Sequence, residues 1–169
     1  MFAFALWDSK RRRLLLARGY RVAMTRTGPT IHLGDGDGNI ARARFCNRRH
    51  AALMVRIHAD GSTDRSQHGV STLVPAWHRG WTDDIAAPSL RAARAVQAEL
   101  VRSLGFPDAG HDRRSDLTGF NWSNVPSVLA ELGFLTNPTE RGVLTSAAGQ
   151  RRAAVGLCRG AMRFLGRRP

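Results

Sequence analysis

Two short segments limit what this chain can fold into. "LMVRIHA" (residues 53–59) and "PSVLAEL" (126–132) are largely apolar at consecutive positions, not only at every second one. Each is of strand length, and a strand that is apolar on both sides belongs in a sheet covered on both faces. Between and around them lie stretches with helical spacing. Asp83 or Asp84 opens a long helix through Ala92, Val96, Leu100 and Leu104 that closes at Gly105. Asn39 is placed to cap a helix over residues 40–51, and Pro138 begins a final helical region that continues over 147–165. "YRVAMT" (20–25) and "VSTLV" (70–74) read as further strands. Helices alternating with apolar strands predict βαβ units: an α/β fold, mainly a parallel twisted sheet with helices on both faces, forming one domain over residues 1–169.

The amino-terminal side does not fit this layout. Residues 2–17 read as a helix through Phe4, Ala5, Leu14, Leu15 and Leu16 that stops at Gly19. A doubly wound domain begins with a central strand, so the chain is expected to be truncated at its amino terminus. An open central edge, prone to aggregation, is expected with it.

Charge separates the partner classes. Lys and Arg total 26 against 13 acids, for a net charge of +13, and Lys10 is the only lysine. Such a field favours a polyanion, for instance an anionic cell-wall polymer. No compact basic run with interleaved aromatics is present, so nucleic acid is not expected. No segment is long and apolar enough to span a membrane, and no basic segment precedes an apolar one as in a signal peptide. Cys46 and Cys158 are the only cysteines; they form no metal-binding spacing, and a single bridge between them stays open.

Glu131 is the one charge in residues 126–137, among Val128, Leu129, Ala130, Leu132, Phe134 and Leu135. An ionised carboxylate in such company is destabilising by several kcal/mol unless it is paired or lies beside a cation. His58 ends the other apolar run. In open parallel sheets, ligand sites form at the carboxyl ends of strands, so these two residues can share a cleft. Imidazole suits zinc, and a carboxylate beside it can take a proton from water. The structural alternative makes Glu131 the partner of a buried arginine, Arg44 or Arg56, and His58 a core histidine; the residues alone leave both open. His32, His50, His68, His78 and His111 read as surface residues of loops or charged helix faces. "DGDGN" (35–39) lacks the glycine and glutamate that a calcium loop needs, and reads as a turn.

Taken together, "ARGYRVAMTR" (17–26), "RFCNRRHAALMVRIHADGS" (44–62) and "PSVLAELGFLTNPTE" (126–140) resemble the zinc-dependent N-acetylmuramoyl-L-alanine amidases, enzymes of peptidoglycan. The resemblance implies that His58 is a zinc ligand and Glu131 the catalytic carboxylate that activates water toward the amide between N-acetylmuramic acid and L-alanine. Gly133 and Asn137 match positions that shape the end of the catalytic strand. It implies an extracellular or cell-wall location, peptidoglycan and anionic wall polymers as partners, and a monomer. The family holds its Zn2+ with two more protein ligands, a histidine after the first strand and a glutamate opening the first helix; both are expected upstream of Met1. Arg56 stands where the family usually has serine. A catalytically inactive, wall-binding relative is the alternative.

Overall fold

The computed structural model describes residues 2–5, 15–25 and 38–166. In chain order these form β1 (Phe2–Ala5), β2 (Val22–Met24), α1 (Gly38–Asn47), β3 (Leu53–Asp60), β4 (Val70–Pro75), α2 (Ala86–Leu104), β5 (Asp108–Arg114), the one-turn α3 (Thr118–Asn121), β6 (Ser127–Phe134), α4 (Pro138–Thr145) and α5 (Ala147–Phe164). Six strands make one sheet in the order β2-β1-β3-β6-β4-β5. All neighbouring pairs are parallel except β4 with β6, so β4 and β5 run against the other four. The α/β class and the mainly parallel sheet are as expected.

The amino-terminal segment is not. Phe2–Ala5 is a strand, in register with Val22–Met24 on one side and Leu53–Arg56 on the other. Four consecutive apolar residues carry no period of their own, so the pairing available on either side decides their conformation. The central position between β2 and β3 is thereby filled, and the expected open central edge is absent. Residues 6–14, the middle of the expected helix, lie outside the described residues. Leu15 and Leu16 are helical, followed by the expected turn through Gly19.

Alternation along β3 and β6 sorts their side chains onto two faces. Leu53, Val55 and Ile57, with Val128, Ala130 and Leu132, join Ala92, Val96 and Leu100 of α2 and Ala153, Leu157 and Ala161 of α5 in the main core. On the opposite face, Met54 meets Cys46 of α1, Ala51 and Val125 in a smaller core. Both cysteines are buried, one in each core, and no disulfide joins them. The two long helices are also tied by charge: buried Glu99 of α2 accepts Arg163 Nε of α5 at 2.7 Å and Arg102 Nη1 at 2.5 Å.

β5 was not legible in the sequence. "DAGHDRR" has no apolar run, and it becomes a strand because β4 offers it an open edge. His111 therefore lies on a strand rather than in a loop. α1 begins at Gly38, one residue before the expected cap, and ends at Asn47. Asn39 Oδ1 instead accepts Arg42 Nη1 at 3.0 Å and Arg56 Nη2 at 2.8 Å.

Candidate functional site

β3 and β6 set His58 directly opposite Glu131. Residues 54, 56 and 58 alternate away from the main core, as do 127, 129 and 131, so the two side chains stand on one face. His58 Nδ1 is 3.8 Å from Glu131 Oε1. That is too long for a direct hydrogen bond and short enough for one bound species to touch both groups. The His58 side chain is 40% exposed and that of Glu131 12%, so the imidazole fronts solvent and the carboxylate is recessed behind it.

Burial raises the Glu131 pKa from 4.5 to about 7; the negative charge of Asp60 pushes the same way, and the positive charge of Arg56 opposes it. Glu131 Oε2 is buried with no hydrogen-bond donor among the described residues. A recessed carboxylate with one unsatisfied oxygen and a pKa near neutrality is equipped to accept a proton from a reactant. Such an arrangement is destabilising for a purely structural group, by about 1–3 kcal/mol for the unmet oxygen alone.

Of the two arginines considered as structural partners for Glu131, Arg44 lies 4.9 Å over the Trp122 ring. Arg56 is 7% exposed, donates to Asn39, and packs against Gly119 of α3. It stands on the same face as His58 and acts on Glu131 through its charge.

The other histidines do not join the pair. His111 Nδ1 bonds Thr72 Oγ1 at 2.6 Å, His68 bonds the Ser66 carbonyl at 2.7 Å, and His78 bonds the Arg79 carbonyl at 3.1 Å, its ring tilted 48° against that of Trp81. His50 lies in the turn after α1. His32, like residues 35–37 of the "DGDGN" turn, falls outside the described residues. Among the described residues no three His, Cys, Asp or Glu side chains are placed to hold a metal ion. The described part of the site thus supplies one imidazole where a zinc centre ordinarily uses three protein ligands.

Sequence reasoning passed over Glu140. It appears in the quoted segment without a role, and its carboxylate is 3% exposed and bonded to two backbone amides beside the site. The available signal was an acidic residue three positions after a helix cap.

Fold and pairing define a class: an α/β domain with an imidazole and a recessed carboxylate side by side in the carboxyl-terminal halves of adjacent parallel strands. The sequence profile of the N-acetylmuramoyl-L-alanine amidases (Amidase_3) matches residues 7–163. The chain belongs to this family. It is 31% identical over 165 residues to an N-acetylmuramoyl-L-alanine amidase of Mycobacterium tuberculosis, covering 86% of this chain and 64% of that protein. It is 34% identical over 119 residues to the uncharacterized protein YqiI of Bacillus subtilis, spanning 54% of its length. The fold is that of the catalytic domain of CwlV, an amidase from Paenibacillus polymyxa, with a TM-score of 0.81 at 19% identity over 98% of this chain and 97% of that one. Ami1 from Mycobacterium smegmatis gives 0.81 at 24% identity, again over 98% and 97%.

Proposed function

We propose that this chain hydrolyses the amide joining the lactyl group of N-acetylmuramic acid to L-alanine in peptidoglycan, with Glu131 as the general base and His58 as a metal ligand. The observation that carries the reading is the His58–Glu131 pair, 3.8 Å apart on one face of the sheet. Family membership and the named amidases among its relatives support the reaction class.

In this reading Glu131 takes a proton from a water molecule as the water oxygen attacks the amide carbonyl. A C–O bond forms and the carbonyl becomes tetrahedral. Glu131 then passes the proton to the departing nitrogen as the C–N bond breaks, leaving a lactyl carboxyl and the amino group of L-alanine. A pKa of about 7 suits both halves, because the group is a competent base before attack and a competent acid after it. Its burial keeps bulk water from neutralising the transferred proton. The resemblance assigns Zn2+ to the site, where it would supply Lewis acidity toward water and carbonyl. The described residues offer it only His58, so no step above is routed through it. The net charge of +13 holds the chain near anionic wall polymers, consistent with action at the cell wall.

The test is release of new L-alanine amino termini from purified sacculi, with zinc supplied and Glu131→Gln as control. Release above the control supports hydrolysis; equal release ends the proposal. That His58 is the one ligand among the described residues favours a second reading, a wall-binding relative without activity, which would sediment with sacculi equally with and without zinc.

A further inference from the structure

We infer that Glu140 is a positioning residue for Glu131; the kinetic arm of this inference rests on the amidase reading. The Glu140 carboxylate lies at the end of β6, with one oxygen committed to the last residue of that strand and the other to the loop before β4. Oε1 accepts the Gly69 amide at 2.7 Å and Oε2 accepts the Phe134 amide at 2.7 Å. These two amides flank the strands that hold Glu131. Phe134 is the last residue of β6, three positions beyond Glu131, and Gly69 immediately precedes β4, whose Ser71 pairs with Glu131. One carboxylate therefore fixes both the strand that carries Glu131 and the neighbour on its far side from His58.

The fixation matters here because β3 and β6 lose regular register at this point. The pairing is continuous to His58–Glu131, shifts, and resumes at Asp60–Phe134. Past the shift, the Leu135 amide returns to the Asp60 carbonyl at 2.8 Å. Gly133, inside the irregular stretch, has φ +134°, and a Cβ there would lie 2.7 Å from Glu140 Oε2. Glycine at 133 and glutamate at 140 are thus two halves of one device, since the missing side chain is what admits the carboxylate. Asn137 aims it. Its Oδ1 caps α4 by accepting the Thr139 and Glu140 amides at 3.0 and 3.2 Å, and its Nδ2 donates to the Arg65 carbonyl at 3.3 Å.

Glutamine at 140 keeps the shape but offers one oxygen and one NH2, so one of the two amides must face a donor. The experiment compares Glu140→Gln with Glu99→Gln, a buried carboxylate that ties α2 to α5 away from the site. Both are assayed well below their melting temperatures, and the Glu131 carboxyl resonance is followed by 13C NMR. In Glu140→Gln the Glu131 resonance moves, the Gly69 and Phe134 amides lose exchange protection, and kcat falls about 10–100-fold with KM nearly unchanged. Glu99→Gln lowers the melting temperature and leaves the Glu131 resonance and kcat in place. An unmoved Glu131 resonance in Glu140→Gln, or an unchanged kcat, overturns the inference, as does an equal kcat loss in Glu99→Gln. Should the wild type release nothing from sacculi, the amidase reading fails separately, and the resonance and exchange data alone decide the role of Glu140.

Discussion

Glu131 sits across from His58 as its register partner on the adjacent parallel strand, with 3.8 Å between Oε1 and Nδ1. The carboxylate is the more buried of the two, and this has a stability consequence. A folded-state pKa raised from 4.5 to about 7 means that the fold favours the protonated form. That stability is complete below about 4.5 and is lost as pH rises through about 7. In the metal-free protein, Tm should fall between pH 5 and pH 8. Glu131→Gln should remove this slope and, at pH 8, stabilise the fold by up to about 3 kcal/mol, measured by thermal melts in EDTA across the range.

His111 predicts a slope of opposite sign. Its Nδ1 is turned onto fully buried Thr72 at 2.6 Å. Burial of that side of the ring lowers its pKa below 6.5, and the charge of Arg94 adds to this while Asp108 opposes it. The unfolded chain then takes up the proton first. Stability should be complete above 6.5 and decline as pH falls below it. His111→Gln should flatten the acid side of the Tm profile and leave the alkaline side unchanged.

α2 and α5 meet through glycine. A Cβ at Gly160 would stand 2.5 Å from Val96 Cα, a backbone atom that can yield only if the helix moves. Gly160→Ala should destabilise by about 1–3 kcal/mol. Gly142 in α4 has nothing within 4 Å of the same added carbon, and Gly142→Ala should be neutral or stabilising by up to about 1 kcal/mol. Urea midpoints of the two variants make the comparison.

The thiols should be silent in the native state. Cys46 is 0% exposed and Cys158 4%. Burial pushes the Cys46 pKa up to about 12, with Arg49 opposing weakly, so almost no thiolate exists at neutral pH. A chromogenic disulfide reagent should label neither cysteine within minutes on the folded protein, and both in urea. Labelling of neither thiol in urea would reveal a disulfide between them.

β3, β6 and α2 were legible because their signal is local. Runs such as Leu53–Ile57 and Val128–Leu132 report burial on both faces, and the Ala92, Val96, Leu100 stripe reports one buried face. His58 and Glu131 stood out because a polar group inside an apolar run needs a reason. β1 was misread because residues 2–5 suit helix and strand alike, and β5 was missed because an exposed edge strand needs no apolar pattern. Glu140 stayed without a role because its partners are backbone amides 6 and 71 positions away.

Patterning along the chain already fixes which segments are buried, which helices are amphipathic, and that a histidine and a glutamate interrupt two apolar core strands. Assembly of the sheet decided strand order, the reversal of β4 against β6, the pairing of His58 with Glu131, and the clamp of Glu140 on the end of β6 and the start of β4. The physical reason is that side-chain patterning encodes period and burial along the chain, whereas backbone hydrogen bonds are chemically the same at nearly every residue and take their partners from the assembled sheet.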